Sequence, residues 1–496
     1  MRRSIAGLIC GISLMVASAA YAGPKSLVHV GDLSNSQINK LANAGYDIPR
    51  VGKGFVEIVL DGTEIDAFAK KGNYIKVLVR DLDEYVTKVK KTQTKNTAYF
   101  TYDTMQKKLN EWAEKYPEIC RVESIGKSNE NRDIFALKIS DNPGLNEPEP
   151  AALLVGAHHA REWPSIEVPM AVAKKILEEY STNEETKRLV DEREIWIVPM
   201  VNPDGVVYSM EKSKMWRKNR RNNGNGTYGV DLNRNYGYQW GNVGASNSGS
   251  SDTYHGTGAF SEPESSALRD LMIREKFQAS ISFHTYSELI LYPFGYGYNI
   301  PNPDEKIFVK MAGEMAKFNG YEPKNSAELY PAMGDSDDYS YGDRKILCFT
   351  FELCSTFIPN ASQIPEFTQA NVPAAMYLID KAGTYGLVNP DGREEIVSAL
   401  SLDESLRAIK DTVDLFGNER NVAMRNEALK QLEKISQRAA ALVVADMRNG
   451  NSTALDSLKG IPQASLAMSF VRNRVLFEDA HRSADYRDDL VAKIKN

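Results

Sequence analysis

Short apolar runs alternate with helical stretches from residue 99 to about residue 387, and this alternation restricts the possible folds more than any other feature of the chain. The runs are hydrophobic on both faces, as strands buried between two helix layers are. Amphipathic stretches such as residues 168–179 and 264–275 separate them. The pattern predicts an α/β domain whose central sheet is mixed, largely parallel and covered by helices on both faces. The predicted strands are residues 151–155, 195–201, 279–283 and 346–351.

This central domain, which we place at residues 96–388, is flanked by three other segments. Residues 1–22 combine a basic start, an apolar run and a small-residue end, the pattern of a signal peptide. Because the run is shorter than the roughly 20 residues of a spanning helix, we expect cleavage and export, with no membrane insertion afterwards. Residues 23–95 predict a small α+β domain, and residues 389–496 show the three- and four-residue apolar spacing of an all-helical extension.

The boundary after the small domain is rich in lysine. Lys88, Lys90, Lys91 and Lys95 lie within residues 87–97, so we expect an exposed linker that a trypsin-like activating protease could cut. An ordinary solvated helix end is the alternative for the same lysines.

Charge and cysteine content narrow the class of protein further. The 60 Lys and Arg residues against 66 Asp and Glu residues give a net charge of -6, so we expect no nucleic-acid partner. Three cysteines follow residue 22, and this odd number allows at most one internal disulfide, which would involve Cys120. The fold must therefore depend on its hydrophobic core.

Two histidines and a carboxylate follow the first predicted strand of the central domain. His159 and Glu162 are three residues apart in a short turn, and imidazole with carboxylate suits Zn²⁺. His284 and Glu352 each follow another predicted strand. Because ligands bind outside the carboxyl ends of strands in open α/β sheets, we expect these groups to converge. By spacing alone, His158 is an alternative ligand to His159.

Six ordered motifs resemble those of the zinc metallocarboxypeptidases related to carboxypeptidases A and B, including bacterial members. They are GAHHAREW at 156–163, NPDG at 202–205, WRKNR at 216–220, VDLNRN at 230–235, SFHTYS at 282–287 and FTFEL at 349–353. The resemblance spans about residues 99–387. Residues 23–95 also resemble the activation propeptide of that family, whereas residues 389–496 have no counterpart that we recognise.

The resemblance implies one Zn²⁺ cofactor and a role for each matching residue. His159, Glu162 and His284 would bind the zinc. Glu352 would act as general base on the zinc-bound water, and Arg217 would stabilise the developing oxyanion.

The same resemblance implies the groups that would hold a peptide C-terminus. Arg234 with Asn233 would clamp the terminal carboxylate, and Arg161 would be a further binding arginine of the cleft. Tyr330 lies at the interval before Glu352 where the family carries its substrate-capping tyrosine. Tyr286 resembles a substrate-subsite tyrosine, with simple packing as the alternative.

The specificity position corresponds to Asp337, an acidic floor for a Lys or Arg side chain. Asp335 resembles bacterial members with broadened preference, so apolar residues are also expected to be accepted; a solvated acidic loop is the alternative for this segment. We therefore expect an exported zinc carboxypeptidase, made as a zymogen, that acts on the C-termini of peptides or proteins. A peptidoglycan stem-peptide peptidase and a carboxypeptidase-like binding protein without catalysis remain alternatives.

Overall fold

The computed structural model describes residues 23–94, 97–147 and 149–384, together with a few isolated positions between 405 and 443. The predicted signal peptide and the predicted helical extension therefore lie outside the described residues, apart from those few positions. None of the helices in the described part of the chain combines the length and the apolar character needed to cross a bilayer.

The N-terminal module, residues 23–91, is a four-stranded antiparallel sheet with three helices. Its sheet order is β2-β3-β1-β4. One sheet face carries Val56, Ile58 and Leu60 and packs with Ile38 and Phe68 of the helices to form the module's own core. The elements are β1 (Ser26–Gly31), α1 (Asn35–Asn43), β2 (Arg50–Gly52), β3 (Phe55–Leu60), α2 (Gly62–Lys70), β4 (Ile75–Val79) and α3 (Leu82–Lys91).

The lysines of the predicted linker are mostly helical. Lys88, Lys90 and Lys91 lie in the last turns of α3, and Lys90 Nζ donates a hydrogen bond of 2.6 Å to the carbonyl of Met210. The alternative, an exposed helix end, is therefore correct for these three residues and the linker is not, since Leu82, Val86 and Val89 bury one face of the helix. Lys95 lies outside the described residues.

The central domain contains an eight-stranded mixed sheet, as predicted. Its order is β11-β10-β12-β9-β7-β8-β6-β5, and four of its neighbouring pairs are parallel. The strands are β5 (Cys120–Lys127), β6 (Asp133–Ile139), β7 (Ala151–Gly156), β8 (Glu194–Val198), β9 (Ala279–Thr285), β10 (Leu289–Tyr292), β11 (Glu322–Asn325) and β12 (Leu347–Leu353). The helices are α4 (Tyr102–Lys115), α5 (Pro164–Glu179), α6 (Glu184–Asp191), α7 (Pro203–Glu211), α8 (Pro263–Glu275), α9 (Glu305–Asn319), α10 (Ser336–Gly342) and α11 (Ile364–Lys381).

Successive residues of the central strands serve two different cores. In β7, Ala152 and Leu154 belong to the core that also contains residues of helices α5, α9 and α11, whereas Leu153 and Val155 belong to the core that contains residues of helix α8. The sheet is thus covered by helices on both faces, which explains why its strands are apolar throughout.

Side chains along β9 and β12 alternate between the two faces of the sheet, and this alternation places the polar residues of these strands. Ile281 and Phe283 of β9, with Phe351 of β12, join the core on the α5 side. Because side chains alternate, His284 and Glu352 project from the opposite face. Both are the penultimate residues of their strands, rather than the first residues after them as the sequence predicted.

The three described cysteines do not form a disulfide. Cys120, Cys348 and Cys354 are buried free thiols. The hydrophobic cores hold the described part of the fold, as the cysteine count predicted.

Candidate metal centre and active-site cavity

His159, Glu162 and His284 form one buried cluster. His159 Nδ1 lies 2.9 Å from Glu162 Oε1, and His284 Nδ1 lies 3.0 Å from Glu162 Oε2. The two Nδ1 atoms are 3.1 Å apart. All three side chains are at most 4% exposed. Two imidazoles and a carboxylate therefore direct one ligand atom each towards a common point.

The local backbone explains how this turn is built. β7 ends at Gly156, where a Cβ atom would lie 2.4 Å from the carbonyl oxygen of Ser165 and 2.5 Å from that of Pro199. Only glycine allows this close approach, which lets the chain turn sharply before α5 begins at Pro164. His159 and Glu162 both lie in this turn.

The donor set fits zinc. A tetrahedral Zn²⁺ with ligands at about 2.0–2.1 Å separates its ligand atoms by about 3.3 Å, close to the distances in this cluster. Two nitrogens and one carboxylate oxygen also match the three protein ligands of a catalytic zinc centre, which leaves one position open. These three residues are thus able to hold the metal.

His158 lies outside the cluster, although it was an alternative ligand by spacing. Its Nδ1 is 3.1 Å from Ser282 Oγ and its Nε2 is 2.8 Å from the hydroxyl of Tyr236. Both ring nitrogens are therefore directed to hydroxyl groups.

Asp231, which was not predicted from the sequence, contacts the ring nitrogen of His159 that faces away from the metal cluster. Asp231 Oδ1 lies 3.1 Å from His159 Nε2, and Asp231 Oδ2 accepts hydrogen bonds of 3.0 and 2.9 Å from Nε and Nη2 of Arg217. Burial opposes ionisation of Asp231, but Arg217 and His159 hold its pKa well below the ordinary value. Asp231 lies in the VDLNRN motif, and the tendency of zinc-binding histidines to bond a carboxylate could have identified it.

Glu352 lies beside the cluster because of strand register. β12 and β9 are parallel neighbours, and Glu352 is paired directly with His284. Burial and the nearby carboxylate of Glu162 raise the pKa of Glu352 well above its ordinary value, while Arg217 opposes this shift. A carboxylate with raised proton affinity at this point is suited to accept a proton from a reacting water.

All the predicted site residues except Tyr286 line one cavity. Arg217 Nη1 lies 3.8 Å from Glu162 Oε1, so one guanidinium group is directed at the metal cluster. Arg234 donates from Nε to the carbonyl of Gly244 and from Nη2, at 3.4 Å, to the hydroxyl of Tyr330. The predicted residues that line the cavity are His159, Arg161, Glu162, Arg217, Asn233, Arg234, His284, Tyr330, Asp335, Asp337 and Glu352.

The predicted specificity residues lie at the start of α10. Asp337 is buried and accepts a hydrogen bond of 2.7 Å from Thr350 Oγ1 of β12. Burial, followed by the charge of Asp335, raises the pKa of Asp337 to about 8. Asp335 caps the helix by accepting from the backbone N–H of Asp338. Asp337 therefore lies buried in a short helix that the half-buried Asp335 caps, and the alternative of a solvated loop was wrong.

Two predicted substrate-binding residues are instead paired with the N-terminal module. Arg161 donates two hydrogen bonds, of 2.6 and 2.7 Å, to the carboxylate of Asp47. The hydroxyl of Tyr286 donates to Glu57 of β3. Ile48 and Pro49 of the module also line the cavity. The module thus contacts the same groups that were predicted to bind substrate.

Comparison with known proteins identifies the family. The zinc carboxypeptidase profile, Peptidase_M14, matches residues 105–374. A zinc carboxypeptidase from Saccharothrix mutabilis subsp. capreolus is 38% identical over 293 residues, which cover 55% of this chain and 67% of that protein. Carboxypeptidase B from Rattus norvegicus is 31% identical over 70% of this chain and 85% of its own length.

The fold agrees with this assignment. The crystal structure of carboxypeptidase A from Helicoverpa armigera superposes with a TM-score of 0.66 at 23% identity, and covers 73% of this chain and 98% of its own. The chain belongs to the zinc carboxypeptidase family and is a metallocarboxypeptidase.

Proposed function

We propose that this protein is an exported zinc carboxypeptidase, made as a zymogen, that removes C-terminal residues from peptides with a preference for Lys and Arg. The observation that carries the proposal is the convergence, in one cavity, of the His159–Glu162–His284 cluster with Glu352 and the two arginines Arg217 and Arg234. The cluster and Glu352 are suited to hydrolysis. Arg217 is suited to bind the oxygen of the scissile carbonyl, and Arg234 to bind a terminal carboxylate.

His159, Glu162 and His284 would hold one zinc ion. When bound, zinc would polarise the carbonyl of the scissile peptide bond and make water a better nucleophile. Glu352 would accept the proton of the attacking water and pass it to the leaving amine. Arg217, held by its two hydrogen bonds to Asp231, would donate to the oxygen that becomes negative during the reaction.

Arg234 and Asn233 would bind the terminal carboxylate and so restrict cleavage to the last residue. A carboxylate takes two parallel N–H donors from a guanidinium group. Tyr330, whose hydroxyl already lies 3.4 Å from Arg234 Nη2, would close over the bound terminus. These three residues make the proposed enzyme an exopeptidase.

Asp337 supports the preference for a basic terminal residue. Its carboxyl group is buried in the cavity and bonded to Thr350, and a cationic side chain would offset the cost of ionising it there. Asp335, close enough to raise the pKa of Asp337, adds to the negative potential. Acceptance of apolar residues as well is part of the proposal, because a protonated Asp337 would no longer repel them as strongly.

The contacts of the N-terminal module support the zymogen. Asp47 engages Arg161, and Ile48 with Pro49 lines the cavity, so a bound module would compete with substrate. Cleavage near the lysine-rich boundary would separate the two parts.

A panel of peptides that differ only in the last residue tests this proposal, with the chain assayed before and after trypsin and with or without a chelator. Peptides ending in Lys or Arg should be cut fastest, only after trypsin and only without chelator. Equal activity before and after trypsin would contradict the zymogen. Cleavage of a cell-wall stem peptide in preference to every ordinary peptide would favour the peptidoglycan alternative, and absence of any hydrolysis would favour the binding protein.

A further inference from the structure

His158 has no role in the proposed chemistry, yet it is fully enclosed beside the metal cluster. It is 1% exposed, and its ring stacks on that of His284 with centroids 5.4 Å apart and an interplanar angle of 10°. A buried imidazole needs hydrogen-bond partners for both nitrogens. For His158 these partners are the hydroxyls of Ser282 and Tyr236.

Ser282 connects His158 to a predicted zinc ligand. Its Oγ lies 3.1 Å from His158 Nδ1 and 3.0 Å from His284 Nε2. Ser282 and His284 are two residues apart on β9, so their side chains lie on the same face of the sheet. The four side chains form a continuous buried chain that runs from His284 through Ser282 and His158 to Tyr236.

The chemistry of His284 requires such a partner. If His284 binds a metal through Nδ1, the atom that faces Glu162, the ring is neutral and its proton is on Nε2. That N–H then needs an acceptor, and Ser282 Oγ is the atom in place. A serine hydroxyl can rotate, so the second bond to His158 is what holds it in position.

Tyr236, the last of these four hydrogen-bonded side chains, is held in place by packing. Tyr236 is completely buried, and its ring packs against Phe260 and Tyr339 with centroids 5.7 and 5.9 Å apart. His158 is therefore held at one nitrogen by a fixed phenol and on one face by the ring of His284. Zinc-binding histidines commonly bond a second layer of residues, and His159 uses the carboxylate of Asp231 for this purpose.

We propose that His158, acting through Ser282, is a positioning residue that holds His284 in the orientation needed to bind zinc. This inference rests on the proposed zinc-binding role of His159, Glu162 and His284. It assigns the first histidine of the HHAR motif a neutral supporting role, whereas the second is the ligand.

The test compares zinc affinity, measured by competition with a chelator, in Ser282→Ala, His158→Phe and the control Ser280→Ala. Ser280 lies on the same strand and face as Ser282 and is equally buried at 5% exposure. We expect Ser282→Ala and His158→Phe each to weaken zinc binding by about 10- to 100-fold. Ser280→Ala should leave it within about twofold, and Ser282→Thr, which keeps the hydroxyl, should recover most of the affinity.

Two further measurements separate positioning from misfolding and from loss of the metal site itself. The absorption spectrum of the cobalt-substituted protein should change in Ser282→Ala and not in Ser280→Ala, and denaturant unfolding of the metal-free chains would detect a folding defect. Wild-type affinity in both Ser282→Ala and His158→Phe would overturn the inference. A wild-type chain that binds no zinc, or a His159→Ala chain that binds it normally, would instead overturn the proposed metal site.

Discussion

The buried ion pair between the module and the cavity gives the most specific prediction of how the proposed zymogen would be held inactive. Arg161 is 1% exposed and Asp47 is 7% exposed, and two hydrogen bonds join them. Arg161 keeps the pKa of Asp47 below the ordinary value despite burial. The substitution Asp47→Asn removes the negative charge and leaves the guanidinium group buried without its counterion.

The magnitude follows from that geometry. Removing one partner of a buried ion pair costs about 3–5 kcal/mol. While the module covers the cavity, Asp47→Asn leaves Arg161 buried without its counterion, and this state bears the cost. Once the module has moved away, water solvates Arg161 and the cost disappears. At about 1.4 kcal/mol for each factor of ten, the undocked population should rise by about 10²- to 10⁴-fold, up to the limit set by complete release. Other contacts, such as that between Glu57 and Tyr286, would remain.

The assay is the initial rate of hydrolysis of a peptide ending in Lys by the uncut chain. Asp66→Asn is the matched control, because Asp66 is an exposed residue of the same module. Uncut Asp47→Asn should be faster than uncut Asp66→Asn by two orders of magnitude or more, and the two should be equal after trypsin. If the two uncut variants are equally slow while both trypsin-treated proteins are active, the ion pair does not hold the module on the cavity.

Three other substitutions test separate parts of the account. Asp231→Asn should weaken zinc binding by about 10- to 100-fold, because His159 loses its charged partner; unchanged affinity in a chelator competition would contradict this role. For Asp337, whose pKa is raised to about 8, the preference for Lys over Leu as the last residue should grow between pH 7 and 9, as the group ionises, and Asp337→Asn should abolish that growth in kcat/KM. Burial raises the pKa of Glu167 to about 8, so the folded state keeps a proton that the unfolded state releases, and stability should fall as pH rises from about 4.5 to about 8. Glu167→Gln keeps the acceptor for the N–H of Phe100 and removes the titration, so its free energy of unfolding relative to wild type should rise over that range by up to about 1.4 kcal/mol per pH unit; a constant difference in denaturant unfolding would refute the assignment.

The sheet could be predicted from sequence because its strands are local apolar patterns. The metal cluster could be predicted because its residues lie near the ends of those strands and match the motifs of the zinc metallocarboxypeptidases. Apolar runs mark strands buried on both faces, and the ends of parallel strands bring their residues to one edge. The predicted ends of β9 and β12 fell two residues short, since His284 and Glu352 still pair within the sheet, whereas the predicted strand 195–201 ran three residues past the end of β8. The local sequence around a polar residue near the end of a strand does not show whether backbone pairing with the neighbouring strand continues beyond it.

The supporting residues were harder to predict because no strand-end pattern in the sequence pairs them with their partners. Asp231 and Arg217 lie far from His159 along the chain, and Asp47 is separated from Arg161 by 114 residues. Serine at position 282 is unremarkable in an apolar strand until the facing imidazoles are placed. Helix α3 was predicted only as the alternative to a linker because of its lysines, although Asp81 caps the helix and its apolar residues recur at helical spacing.

The most direct test of the central claim measures zinc content and turnover together in wild type and Glu352→Gln. We expect both proteins, after removal of the module, to bind one zinc ion per chain, because Glu352 is not one of the three ligands. Turnover of the variant should fall by about 10²- to 10⁴-fold, since amide cannot take the proton of water. The account would be contradicted if Glu352→Gln hydrolysed substrate as fast as wild type, or if the wild-type chain took up no zinc.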